Sequence, residues 1–234
     1  MVYLSGNNMV GGYGGVDILN DCTISVNKGE IAVIIGPNGA GKSTAMKAML
    51  GLLKLKSGKV EIENKDITNM SPENRVSHGM AFVPQTKNVF NGMTVRENLE
   101  MGAHLRKDNI GETLHQVLEI FPILKEKSKQ LAGELSGGQR QQVAVGRAMM
   151  TKPNVLMLDE PTAGVSPIVM GELFDRILEI KKTGVAVLIV EQNARQALSI
   201  ADQAFVLVNG KNKRSGTGND LLSNPEVRKS FLGG

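Results

Sequence analysis

Cysteine, aromatic residues and long apolar runs are all scarce in this chain of 234 residues. The single cysteine, Cys22, excludes an internal disulfide and any multi-cysteine metal or redox motif. Tryptophan is absent, and two Tyr and six Phe make an aromatic fraction of 3%. That is too little for the stacking platforms that grip single-stranded nucleic acid. The longest wholly apolar runs, 31–35 and 185–190, fall far short of the roughly 20 residues needed to cross a bilayer. Residues 1–15 carry no basic cluster followed by an apolar stretch, so no secretory signal is expected and the expected compartment is the cytoplasm. His78, His104 and His115, with Cys22, show no metal-ligand spacing.

What is present is ordinary for a globular protein: 41% hydrophobic and 21% charged residues, in a length that suits one large domain. The net charge of +4 comes from 27 basic and 23 acidic residues. The basic residues are scattered, and the densest groups, Lys125, Lys127 and Lys129, then Lys211, Lys213 and Arg214, read as solvated surface. No nucleic-acid partner is expected.

Apolar β-rich runs at 31–35, 81–83, 155–158, 185–190 and 204–208 alternate with helical segments near 42–52, 138–151, 167–182 and 193–201. Three of the runs (31–35, 155–158 and 185–190) are apolar at every position, as strands buried on both faces of a parallel sheet are. The fold class is therefore α/β with a mainly parallel sheet and right-handed crossovers. Residues 56–67 read as a small antiparallel β piece with turns at Ser57-Gly58 and Asn64-Lys65. Residues 88–150 hold helical signals without a buried strand, among them a capping box at Thr94-Val95-Arg96-Glu97 and a helix start at Gly111-Glu112. The expectation is one domain over 1–234, with an α/β core in 1–87 and 151–234 and an inserted helical subdomain in 88–150.

Directly after the run 31–35 stands Gly36-Pro37-Asn38-Gly39-Ala40-Gly41-Lys42-Ser43, then Thr44 and a helical segment. G-x-x-x-x-G-K-S between a strand and a helix is a phosphate-binding P-loop. Its glycines let successive N–H groups turn inward as an anion nest, and the helix adds the positive end of its dipole. Lys42 is placed to reach the β- and γ-phosphates, and the Ser43 hydroxyl to ligate Mg²⁺. A chance match in a chain of this composition is on the order of 1%, so residues 36–44 are read as a nucleoside triphosphate site. The run 155–158 ends in Asp159-Glu160, at the carboxyl edge of the sheet where the loop also lies. Asp159 is expected to hold Mg²⁺ through its water shell, and Glu160 to polarise the water that attacks the γ-phosphate.

Leu135-Ser136-Gly137-Gly138-Gln139 separates the classes of P-loop protein. Ser136 and Gln139 form an S-x-x-Q capping box, but a cap does not call for two glycines, each costing up to about 1 kcal/mol against Ala in a helix. Their expected use is close approach of backbone N–H groups to an anion. A GTPase reading finds only Asn64-Lys65-Asp66, one residue short of N-K-x-D and better taken as a turn.

With this pentapeptide the chain resembles the ATP-binding cassette family over essentially its whole length. The resemblance implies an ATPase in which two cassettes sandwich ATP between the P-loop of one and the signature of the other. It implies ATP and Mg²⁺ as ligands, with Tyr13 of Gly12-Tyr13-Gly14-Gly15 stacking on adenine. It gives Gln85 of Val83-Pro84-Gln85 to Mg²⁺ and the attacking water. Ser136, Gly137, Gly138 and Gln139 fall to the partner's ATP. Two positions depart from the family pattern. Gln192 stands where most members carry a histidine at the γ-phosphate, and an amide can hydrogen-bond there without titrating; Ser166 stands where many carry Asp. The strings Asp-Glu-Pro-Thr-Ala-Gly-Val-Ser-Pro and Val-Glu-Gln-Asn-Ala-Arg-Gln-Ala-Leu look like an ATP-binding subunit of the branched-chain amino-acid importers. Urea and amide importers share this look, and a cassette without a membrane partner, of the iron–sulfur assembly type, is the alternative. The partners implied are a second cassette subunit, integral-membrane permease subunits and, indirectly, an extracytoplasmic solute-binding protein. The implied location is peripheral, on the inner face of the cell membrane.

Overall fold

A computed structural model describes residues 1–231. The chain opens with two long antiparallel strands, β1 (Val2–Tyr13) and β2 (Val16–Asn27), joined by a two-residue turn at Gly14 and Gly15. Then come β3 (Ile31–Ile35), α1 (Lys42–Leu50), β4 (Ser57–Ile62), β5 (Lys65–Asp66), α2 (Pro72–Ser77) and β6 (Met80–Val83). A helical stretch follows: α3 (Val95–Gly102), α4 (Gly111–Ile120), α5 (Pro122–Glu126) and α6 (Gly137–Met149). The remainder alternates as β7 (Val155–Asp159), α7 (Pro167–Lys182), β8 (Ala186–Val190), α8 (Ala194–Ser199) and β9 (Gln203–Val208). It closes on β10 (Lys211–Gly216), α9 (Gly218–Ser223) and α10 (Pro225–Phe231).

Two sheets result. The larger has the order β10-β9-β3-β8-β7-β6, parallel throughout except for β10, which pairs antiparallel with β9. The smaller is antiparallel, β2-β1-β4-β5. The large sheet explains its own sequence. Ile31, Val33 and Ile35 of β3 enter one hydrophobic core with residues of α6, α7 and α8, while Ala32 and Ile34 enter a second core with α1 and the small sheet. Strands β7 and β8 divide in the same way: Leu156 and Leu158, with Val187 and Ile189, face the first core, and Val155, Met157, Ala186, Leu188 and Val190 the second. Both faces are dry, so every position is apolar except Asp159, the last residue of β7.

The α/β expectation holds, and each of the five expected strands is present within two residues of its expected ends. Two corrections concern the small sheet. Ser57 and Gly58 do not form a turn; they begin β4, which pairs with β1, and the hairpin turn lies at Glu63 and Asn64, both at positive φ. The small sheet also reaches well beyond 56–67, because the β1–β2 hairpin supplies half of it. Between 88 and 135 the described residues form no ladder strand, only the isolated bridge Thr94–Leu131. The capping boxes at Thr94–Glu97 and Ser136–Gln139 are both formed. No helix of the described residues is long and apolar enough to cross a membrane.

Candidate nucleotide site

The P-loop sits where β3 ends and α1 begins. Gly39 and Gly41 take φ of 78° and 97°, left-handed values that side chains other than Gly adopt at a cost. This curl delivers the chain to α1 with its first intrahelical bond at Ala45 N to Gly41 O, 2.8 Å. The N–H groups of Lys42, Ser43 and Thr44 therefore precede the helical ladder and are available to an anion. Asn38, Gly39, Ala40, Gly41, Lys42, Ser43 and Thr44 line a cleft of about 310 Å³, closed by Ile18 of β2 and Glu160. Gly36 and Pro37 precede these residues, and their carbonyls accept Lys42 Nζ at 2.9 and 3.2 Å.

The charges in this cleft are mutually unsatisfied. Lys42 is 5% exposed and its ammonium rests on neutral carbonyls. Burial holds its pKa below the usual lysine range, against the opposite pull of Glu160, Asp159 and Glu191. Asp159 accepts the Ser43 hydroxyl at 3.0 Å. Burial pushes its carboxyl upward, the Ser43 bond pulls it back, and the neighbouring Glu160 charge raises it again. A buried ammonium with open N–H groups suits a phosphate chain. A hydroxyl and a carboxylate side by side, with a second carboxylate near, suit a hard divalent cation.

Glu160 follows β7 in a left-handed conformation, φ 48°, with its N–H on Val190 O at 2.9 Å. Its side chain is 8% exposed. Gln85, just past β6, donates Nε2 to Glu160 Oε2 at 2.8 Å, and Gln192, just past β8, donates Nε2 to Oε1 at 3.0 Å and Oε2 at 3.1 Å. Three adjacent strand ends thus converge on one carboxylate. The structure thus brings Gln85 and Gln192 onto Glu160, and Asp159 onto Ser43, beside Lys42 of the P-loop.

Other expected residues lie elsewhere. Tyr13 is at the tip of the β1–β2 hairpin, 46% exposed. Ser136 caps α6, taking Gln139 N at 3.3 Å while Gln139 Oε1 takes Ser136 N at 3.1 Å. Ser136 and Gln139 line a separate cleft of about 390 Å³ between α5, α6 and α7, with no residue in common with the P-loop cleft. The two glycines of the signature also differ. A Cβ on Gly137 meets nothing within 4 Å, whereas one on Gly138 runs into Val169 Cγ1 of α7. Packing against α7 is thus a reason for a glycine at 138 that does not apply at 137. Ser166 is the N-cap of α7.

Sequence reasoning missed two residues that shape the site. Ile18 gave no signal in an irregular strand. Glu191, 2% exposed, accepts Thr162 N and Oγ1 at 3.0 and 2.8 Å and Gln192 N at 3.1 Å, so it braces the segments after β7 and β8 against each other. A second acid at the end of an apolar strand was the available signal.

Comparison with known proteins agrees with this geometry. Residues 19–163 match the family model described as ABC transporter. The chain is 44% identical to the high-affinity branched-chain amino acid transport ATP-binding protein BraG of Pseudomonas aeruginosa, over 95% of this chain and 96% of that one. It is 42% identical to a probable branched-chain amino acid transport ATP-binding protein, LivF, of Archaeoglobus fulgidus, over 95% of each. The crystal structure of the ADP conformation of an ATP-binding cassette of an ABC transporter superposes with a TM-score of 0.89 at 35% identity, over the full length of both chains. A strand–P-loop–helix, a carboxylate at the neighbouring strand end and a capped L-S-G-G-Q helix on one such fold leave a single assignment: the chain belongs to the ABC transporter family, as its ATP-binding cassette.

Proposed function

We propose that this chain is the ATP-hydrolysing subunit of a membrane importer for branched-chain amino acids. The names of the relatives at 44% and 42% identity support that solute class. The hydrolytic reading rests above all on the Glu160 carboxylate, which closes the P-loop cleft and is gripped by the amides of Gln85 and Gln192. So held, Glu160 is oriented to accept a proton from the water that attacks the γ-phosphate. Lys42 and the open N–H groups of residues 42–44 stabilise the charge that develops on the phosphate oxygens. Ser43 and Asp159, with Gln85, are the residues that would hold Mg²⁺, whose role is to neutralise the phosphate oxygens. Tyr13, exposed at its hairpin tip, is free to stack on adenine.

Because Ser136 and Gln139 border a different cleft from the P-loop, we assign them, with the bare backbone of Gly137, to the nucleotide of a second cassette placed head to tail. In this reading 1–87 with 151–234 is the nucleotide-binding core and 88–150 the helical subdomain that presents the signature. The subunit would work on the inner face of the cell membrane, attached to permease subunits that receive solute from an extracytoplasmic binding protein.

The test is Glu160→Gln, which keeps the shape and removes the base. The variant should bind ATP, pair in its presence and fail to turn over; turnover at the parental rate overturns the reading. Vesicles holding the co-purified permease complex should take up leucine on ATP. Uptake of urea in its place reassigns the solute.

A further inference from the structure

Asn88 lies three residues beyond Gln85 and is 7% exposed. Its side-chain amide donates twice, to Pro84 O at 3.2 Å and to Gln141 Oε1 at 2.8 Å. Pro84 is bonded directly to Gln85, whose own amide holds Glu160. Gln141 is in the second turn of α6, the helix that begins at the Ser136 cap, and it too is 7% exposed. A single amide group therefore joins the peptide that carries Gln85 to the helix that carries the signature.

Side-chain amides hold the chain from Gln85 to α3 at two points, beside backbone bonds from Gly133 N to Asn91 O and Ala132 N to Met93 O and the stacking of Arg147 of α6 over Phe90 at 4.9 Å. At the far end Asn98, fully buried in α3, accepts Phe90 N at 2.8 Å and donates to the carbonyls of Phe90, Met93 and Thr94 at 3.0 to 3.3 Å. That clamp is local to the segment and α3. At the near end Asn88 alone reaches α6 by a side-chain hydrogen bond. A buried amide pair is a poor device for adhesion, since an apolar pair of similar shape packs as well without needing its hydrogen bond. Its advantage is directional: the bond fixes where the two segments sit relative to each other.

We propose that Asn88 and Gln141 are a positioning pair that couples the placement of Gln85 on Glu160 to the placement of the signature turn. The proposal rests on the reading of Glu160 as the base. Neither amide lines the P-loop cleft, so losing the link leaves nucleotide affinity alone and slows turnover, because a base displaced by a fraction of an ångström loses its alignment with the water.

The test uses the full chain with Asn88→Gln, Gln141→Asn and the two together. Each single change alters the reach of one amide, and the double change restores the summed length. Each single variant should lose about tenfold or more in kcat with the KM for ATP unchanged, and the double variant should recover most of it. Single variants at the parental kcat, a loss of ATP affinity alongside kcat, or a double variant no better than the two losses combined each overturn the pairing. Should a single variant fail to fold, Asn88→Leu with Gln141→Met replaces the amide pair by an apolar one: a reduced kcat in that folded protein supports the coupling, and a parental kcat overturns it. Glu160→Gln is assayed beside them. Its turnover at the parental rate removes the hydrolytic reading itself, whereas a dead Glu160→Gln beside fully active Asn88→Gln removes only the coupling.

Discussion

Gln192 donates one side-chain amide to both oxygens of Glu160, at 3.0 and 3.1 Å, from the strand end next to the one that carries the acid. An amide holds the same charge at every working pH, so this grip on the carboxylate does not switch off on either side of neutrality. A histidine at the same place would titrate near pH 6.5 and hold the carboxylate differently above and below it.

The first prediction follows for turnover. Gln192→Ala should lower kcat by about 10- to 100-fold and leave the KM for ATP near its parental value, because the carboxylate loses orientation while the P-loop is untouched. Gln192→His should restore part of the rate and add a limb to the kcat–pH profile near pH 6.5 that the parent lacks. Steady-state ATPase assays across about pH 5.5 to 8.5 check both. A Gln192→Ala protein at parental kcat removes the orienting role.

A second prediction concerns stability against pH. Burial pushes the Glu191 carboxyl up by more than its bonds from Thr162 and Gln192 pull it down. The folded protein therefore keeps that proton to a higher pH than the unfolded chain does. The stability this contributes is complete below the unfolded value, near 4.3, and is lost as pH rises through the raised folded value. Glu191→Gln abolishes the titration. Its melting temperature relative to the parent should climb as pH rises from about 4 to 8 at constant ionic strength, and a flat or falling difference contradicts the assignment.

These residues also mark what could be read from sequence. Strands β3, β7 and β8 were legible because each position before the terminal Asp159 of β7 faces one of two dry cores, leaving no polar residue to blur the pattern. The P-loop and the Ser136–Gln139 cap were legible because a few consecutive residues make their geometry. The β1–β2 hairpin was not. Its register shifts four times, beside Asn7, Asn8 and Gly11-Gly12 among others, so the two-residue period that announces a strand is repeatedly reset. The turn expected at Asn64-Lys65 lies one residue earlier, at Glu63-Asn64, and Ser57-Gly58, a strong turn dipeptide, is spent on a close strand approach to Asn8. Arg75 could not be found at all. It stands in a short polar helix, and the four carbonyls it meets belong to segments whose approach only the fold creates.

Arg75 carries the third prediction. At 2% exposure its guanidinium donates to Ala48 O, Met49 O, Thr68 O and Met70 O at 2.7 to 3.1 Å. Ala48 and Met49 are in the last turn of α1, where the dipole is negative, and Ala48 O also accepts Gly51 N at 3.0 Å. The helix whose other end begins at the P-loop is thus capped by a buried cation. Arg75→Met should cost about 3 kcal/mol, because four buried carbonyls lose a charged donor. For a chain of this size that lowers the melting temperature by roughly 6 to 12 °C. Arg75→Lys should recover only part of it, since a point cation cannot reach all four acceptors. Thermal melts of the two variants decide; equal stability of Lys and Arg at this site would contradict the fork geometry.

The last prediction separates the two signature glycines. A Cβ on Gly138 must displace Val169 and with it the start of α7, so Gly138→Ala should cost about 1 to 3 kcal/mol. Val169→Ala clears the space, and the double variant should melt above Gly138→Ala alone. Gly137 is exposed, in the first turn of α6, and a Cβ there meets nothing within 4 Å. Gly137→Ala should therefore fold with parental stability or up to about 1 kcal/mol more. Among the described residues nothing requires a glycine at this position, so a requirement would come from a partner. If the backbone at 137 meets the nucleotide of a facing cassette, the added methyl stands between them. Placed in the Glu160→Gln protein, Gly137→Ala should then block the ATP-driven pairing expected by gel filtration without lowering the melting temperature. Pairing that survives the methyl group would mean that the facing nucleotide does not approach this backbone, and the head-to-tail arrangement would lose its contact at 137.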